Sequence, residues 1–255
     1  MQGTMIGKRG INKAVLQIIA VIAMIIDHTA MFVSTPWIYF LMHAVGRMTI
    51  IIMCYFVAEG YHKTRNVYKY ILRMAVFAAI SQIPYFLYKF AGNIPVGIVP
   101  FCANMFYSRN VIFTLFVGLM LLAILQSDYH IIIKLVAVLA SARLVKSSDW
   151  GYYAVLWIVG LGFFYGSKRK QLLWIAFVIM IRMIVSAVPI IVTAVNTSTI
   201  TYFSIYSWFT GLGGFGALAL LAFYNGEKGN MPRYTFYVFY PLHLLILAVY
   251  IMAGM

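Results

Sequence analysis

Lys13 to Val33 reads KAVLQIIAVIAMIIDHTAMFV, and Ser34-Thr35-Pro36 closes it. Between Lys13 and Asp27 there is no charge. A run of about 20 apolar residues is what a helix needs to cross a bilayer core of about 30 Å. The run starts behind basic residues (Lys8, Arg9, Lys13), but it is long and lacks a small-residue cleavage site. It therefore reads as a first transmembrane helix and not as a cleaved signal peptide.

Outward from this stretch the same pattern repeats. Of the 255 residues 64% are hydrophobic and 9% charged, with a mean hydropathy of +0.93. Soluble domains are about 45–50% apolar and about 25% charged. An ordinary soluble enzyme, a disordered linker and a coiled coil are excluded. The expected architecture is all-α: a polytopic helical membrane bundle of about nine spans, forming one integral membrane domain over residues 1–255. The spans are placed by apolar runs between charge, Gly and Pro. After Lys13–Val33 they are Trp37–Gly60, Lys69–Phe90, Asn110–Gln126, Ile131–Val145, Trp150–Tyr165, Gln171–Ile191, Thr199–Tyr224 and Tyr234–Met255. A loop holding Gly92, Pro95, Gly97 and Pro100 follows the third. The fifth and sixth are short for a full crossing, so one is expected to tilt, re-enter or lie among other helices.

The net charge of +14 needs no nucleic acid, because basic residues collect in the cytoplasmic loops of membrane proteins. A cytoplasmic N-terminus leaves only Lys89, Arg109, Arg143 and Lys146 outside, with Arg47 and Arg182 inside spans. The remaining basic residues, Lys168-Arg169-Lys170 among them, then face the cytoplasm. The expected location is the inner or plasma membrane. Cys54 and Cys102 fall in different settings, so neither a disulfide nor a metal cluster is expected.

Ionisable groups inside spans are rare and tend to mark function. Asp27 and His28 lie in the outer half of span one, Arg47 in span two and His243 in span nine. Asp27 is ~9 Å from the outer end of its span and Arg47 ~15 Å from the outer end of the next, which suggests that they pair. His28 is ~100° round the helix from Asp27. As an imidazole with an ordinary pKa near 6.5, it is the better general base. Arg47 either pairs with Asp27 or faces a developing oxyanion. His243 is the next candidate base.

At the inner end stand Glu59, His62, Lys63, Thr64, Arg65 and Lys69. Positive charge with hydroxyl and amide donors suits a phosphate-bearing ligand. Glu59 needs a partner, Arg65 or His62. Lys69 helps the ligand site, although Lys69 and Arg73 alone read as topology signals. Weaker polar signals complete the set. Ser81-Gln82-Ile83-Pro84 interrupts span three. Asn110 and Thr114 lie one turn apart at the head of span four. Asp149 opens span six and suits an N-cap. Tyr240-Pro241-Leu242-His243 kinks the last span.

The order of these residues resembles the TraX family, named for conjugative pilin N-acetylation. The residues that carry the resemblance are Ile26-Asp27-His28, Gly46-Arg47, Glu59-Gly60 with Thr64-Arg65, and Tyr70-x-x-Arg73. They continue in Ser81-x-x-Pro84, Asn110-Val111-x-x-Thr114-Leu115, Asp149-x-Gly151 and Tyr240-Pro241-x-His243. It runs from about residue 15 to 250. The sequence departs from the pattern at Met48-Thr49-Ile50, where an aromatic-Pro pair is expected, and at Thr29-Ala30, where Ile-Gly is expected. The resemblance implies transfer of an acetyl group from cytosolic acetyl-CoA to the amine of a small membrane-inserted peptide such as a pilin. Two other classes fit the residues: a transporter or channel with an Asp-His-Arg relay, and a pilus or secretion assembly component without chemistry.

Overall fold

The structure is a computed structural model. It describes residues 10–95, 97–197, 201–232 and 234–254; the side chains of 202 and 203 lie outside that description. So do Lys8, Arg9 and Arg233 of the charge count, and Thr199 at the head of the expected eighth span. The described residues are helical, with no strand and two isolated bridges, Ile11 with Tyr224 and Arg109 with Ser148.

The helices are α1 Lys13–Thr29, α2 Pro36–Lys63, α3 Val67–Lys89, α4 Ile98–Tyr107, α5 Val111–Leu125 and α6 Ile131–Val145. They continue with α7 Gly151–Phe163, α8 Lys168–Thr197, α9 Tyr202–Phe209, α10 Gly213–Ala222 and α11 Thr235–Ala253. Asparagine starts three of them. Asn12 accepts from Val15 N–H, Asn66 from Lys69 N–H and Asn110 from Phe113 N–H. Each supplies an acceptor that the first helical turn lacks.

Six segments are long and apolar enough to cross a membrane: Lys13–Phe32, Pro36–Lys63, Val67–Lys89, Lys168–Thr197, Ser204–Ala222 and Thr235–Ala253. The protein is a multi-pass membrane protein. Among the described residues six helical segments, not nine, reach that length. Helices α5, α6 and α7 have 15, 15 and 13 residues, or about 20–23 Å at 1.5 Å per residue. They stop short because polar residues and glycine bound them: Asn110 before α5, His130 before α6 and Gly166 after α7. The loop expected after span three contains α4. The expected eighth span is α9, a 3-10 turn Thr210–Leu212 and α10. Ser81–Pro84 does not interrupt α3, which runs on with Pro84 inside it. Membrane helices tolerate such a proline where neighbours satisfy the freed backbone.

Two compact units are formed. The first is Met1–Ile52 with Ser186–Arg233, and the second is Met53–Val185 with Tyr234–Met255. In the first, Ile11 N–H donates to the Phe223 carbonyl and Asn225 N–H to that of Ile11, at 2.8 and 2.9 Å. Thr49 Oγ1 donates to the Ala20 carbonyl at 3.0 Å, joining α2 to α1. Gly213 brings α10 against the Ala44 carbonyl, where a Cβ would collide with backbone. In the second unit, α3 packs on α5 and α11, and α5 on α7. Small residues permit this: a Cβ at Gly118 would meet Ile158, and one at Gly162 would meet Leu122. Close approach at small residues is how helices associate in lipid, where apolar burial drives little.

Candidate functional site

Asp27 projects from the last turn of α1 toward α2. Its Oδ1 lies 2.6 Å from His43 Nδ1, with the side chains 18% and 24% exposed. The sequence pointed to Arg47 as the partner; the residue found at hydrogen-bond distance is His43. The reason is depth. His43 is six residues from Trp37, as Asp27 is six from Val33, and both are ~9 Å in by the helical rise. Arg47 sits one turn deeper on the same face of α2, half-buried with its Nε enclosed. Gly46 shapes the seat, because a Cβ there would land inside the Asp27 carboxyl group. Tyr39 meets the His43 ring edge-on at 4.4 Å. His28 is half-buried one position beyond Asp27. The carboxylate fixes the imidazole with Nδ1–H donating to Asp27, which leaves Nε2 as the basic atom.

In the second unit, the end of α2 is tied inward. Glu59 is buried and accepts from Lys63 Nζ at 2.8 Å. Lys63 was not among the partners expected for Glu59. The Glu-to-Lys i,i+4 order is the favoured one on a helix. His62 Nε2 lies 2.9 Å from the Gly162 carbonyl, and its ring stacks on Tyr165 at 4.1 Å. Thr64 is half-buried and its hydroxyl donates to the Asn66 carbonyl in the turn before α3. Arg65, Lys69, Lys168, Arg169 and Lys170 are exposed.

A third polar cluster gathers the weak signals of the same unit. Asn110 is buried; its Nδ2 donates to the Ala78 carbonyl and to Gln82 Oε1, both at 2.8 Å. Gln82 Nε2 donates to the carbonyls of Met105 and Ser108 at 2.7 and 2.6 Å. Thr114 Oγ1 donates to the Asp149 carbonyl at 2.7 Å. The Asp149 carboxylate lies near enough to Tyr85 and Tyr240 to act on both hydroxyls. Asp149 is not the N-cap of α7; that position is Trp150, at φ 63° in the left-handed region. Arg182 holds the Trp150 ring, with Cζ 5.1 Å from its centroid. Ser81 is fully buried one turn before Tyr85, and its Oγ meets no hydrogen-bond partner among the described residues. His243 Nδ1–H donates to the Phe239 carbonyl at 2.9 Å, and the ring stacks on Phe239 at 4.7 Å.

Five of the anticipated residues, Ser81, Asn110, Thr114, Asp149 and Tyr240, thus belong to one unit and largely to one network. Sequence reasoning missed His43, Gln82, Ser108 and Tyr85. Equal depth from the span ends would have found His43. Gln82 stood inside a quoted motif, one residue from the one singled out. Among the described residues no group of His, Cys, Asp and Glu could hold a metal ion.

No solved structure matches the chain. A curated relative, the "Probable fimbrial assembly protein FimC, serogroup H1" of Dichelobacter nodosus, is 33% identical over 159 residues, 61% of this chain. The chain spans 64% of that relative's length. The family described as TraX protein matches residues 12–251, nearly the whole sequence. The chain is therefore a member of the TraX family.

Proposed function

We propose that the chain is an integral membrane acetyltransferase in pilus assembly, carrying an acetyl group from cytosolic acetyl-CoA to the amine of a membrane-associated acceptor such as a pilin-like peptide. Family membership and the printed name of the fimbrial relative support the setting. The observation that carries the chemistry is the 2.6 Å Asp27–His43 contact. A carboxylate that orients an imidazole is the arrangement a general base needs. His43 Nε2 takes the proton of the attacking amine. The nitrogen–carbonyl bond forms, the carbon–sulfur bond of the thioester breaks, and the proton passes to the departing CoA thiolate. Arg47, a turn deeper on α2, faces the carbonyl oxygen as it becomes anionic. His28 shares the turn with Asp27 and tunes its surroundings.

The N-terminus lies in the cytoplasm of a cell whose inner or plasma membrane holds the protein. The donor then approaches the end that carries Arg65, Lys69 and Lys168–Lys170. That end also holds His62, Lys63 and Thr64, already engaged within the fold. A second reading, an assembly component without chemistry, is favoured by the relative's name alone.

The test is purified protein with radiolabelled acetyl-CoA and an amine-terminated amphipathic peptide. Label is expected on the peptide, and His43→Gln should lower the rate by about 10²–10⁴-fold, the usual contribution of a general base. If His28→Ala abolishes transfer while His43→Gln leaves it intact, the base is the imidazole on α1. No transfer by the parental protein to any amine, with CoA bound, would establish the assembly reading.

A further inference from the structure

The chain holds 19 Lys and Arg against 5 Asp and Glu, so most of its cations have no carboxylate of their own. Most are exposed. Arg73 is not. It lies on α3 six residues past Val67, ~9 Å along the helix, half-buried, and its Nε is enclosed without a hydrogen-bond partner. Among the described residues its guanidinium meets rings instead of an anion: Cζ is 5.1 Å from the Tyr70 centroid and 5.9 Å from that of Tyr237.

Both rings are held in place. The Tyr70 hydroxyl packs against α2 at Gly60, where a Cβ would stand 2.9 Å from it. Tyr237 stacks on Phe77 at 4.7 Å. Aromatic faces attract a guanidinium but do not neutralise it. A cation held inside a membrane protein needs a counter-charge. Glu59, beside Gly60 on α2, accepts from Lys63, and no ion pair to Arg73 is found among the described residues. A guanidinium that lies over aromatic rings still carries its N–H donors in its own plane, as a fork for two parallel hydrogen bonds. That geometry matches a phosphate.

We propose that Arg73, between Tyr70 and Tyr237, is a seat for a phosphate group. If the acetyl-CoA reading holds, the phosphate is one of the donor's. An anionic lipid headgroup presents the same chemistry from the bilayer. The seat moves the site of donor recognition from Lys63 and His62, whose hydrogen bonds are made within the protein, to Arg73, for which the sequence context alone favoured topology.

The experiment uses the whole protein in phosphate-free maltoside detergent, with CoA titrated calorimetrically and phosphatidylglycerol retention read by native mass spectrometry. Arg73→Gln should weaken binding of the phosphate ligand about 10- to 100-fold, the loss of a charge-assisted hydrogen-bond pair. Arg73→Lys should fall between the two. Loss of CoA binding identifies the donor as the source; loss of phosphatidylglycerol alone identifies the lipid. If Arg73→Gln does not fold, Arg73→Lys decides, because it keeps the charge and removes the fork. Unchanged affinity for both ligands in a folded variant, or parental protein that binds neither, overturns the proposal. Parental protein that ignores CoA yet loses phosphatidylglycerol on substitution would instead count against the acetyl-CoA reading and leave the seat standing.

Discussion

Two carboxylates are enclosed within helices of this protein, and they are held in opposite ways. Glu59 is neutralised by Lys63, four residues along the same helix at 2.8 Å. Asp27 is engaged from another helix, by His43 at 2.6 Å and sixteen residues on. The first pair is dictated by spacing, and it forms wherever that turn is helical. The second exists only when α1 and α2 dock, and docking requires Gly46. The intrahelical pair settles a charge, and its lysine is half-exposed. The interhelical pair ends in an imidazole, a side chain that can accept a proton at its second nitrogen.

Substituting each carboxylate by its amide should separate the two roles most widely. Asp27→Asn leaves His43 without the group that fixes its tautomer. Transfer to an amine acceptor should fall by about 10²–10⁴-fold. The thermal transition should also drop, by an amount toward or below the low end of the ~3–5 kcal/mol for a broken buried pair, since both side chains keep some exposure. An Asp27→Asn protein with parental turnover would remove Asp27 from the chemistry.

Gly46→Ala attacks the same pair from the backbone. The added methyl would occupy the space of the Asp27 carboxyl, so α1 and α2 must part. A loss of about 1–3 kcal/mol is expected, the usual cost of overpacking. Gly118→Ala, in the other unit, meets the end of the Ile158 side chain and should cost less. Equal losses on denaturant titration would mean that Gly46 only packs.

What the sequence disclosed follows this division. The long spans were readable because hydrophobic length alone specifies them, as for α1, α2, α3, α8 and α11. Charges within a helix were readable to within a turn. Pairings between helices were not: Arg47 was expected opposite Asp27, and His43, at matching depth, was passed over. The short helices α5–α7 were legible in their bounds, since Asn110 opens α5 where the apolar run begins, and the shortness of the runs at α6 and α7 was legible too. Asp149 looked like a cap, while the chain puts Trp150 there in a left-handed conformation. None of these misses depends on composition; each depends on which backbone lies beside which.

The network around Asn110 sharpens the comparison from a neutral side. It is interhelical, like Asp27–His43, but carries no charge at its centre. Asn110→Ala removes the cap of α5 and the bonds to Ala78 and Gln82. A fall of about 1–3 kcal/mol is expected from the stranded polar groups. If the network only joins α3 to α5, CoA affinity measured on the folded variant should stay unchanged.

The smallest effect is expected at Glu59→Gln. The amide keeps the shape and can still accept from Lys63, and the lost Coulomb attraction involves a lysine in contact with water. Exposed i,i+4 pairs contribute about 0.3–0.5 kcal/mol, so the thermal transition should barely move, and raising the salt should not widen the gap between variant and parent. Glu59 itself is buried, so Lys63→Gln should cost more than Glu59→Gln: it leaves the charge in place and removes what offsets it. That order follows from burial and not from the strength of the pair. If Glu59→Gln were instead the more damaging of the two, the carboxylate would be holding something other than Lys63. The two enclosed carboxylates would then be alike, and the contrast between them would fail.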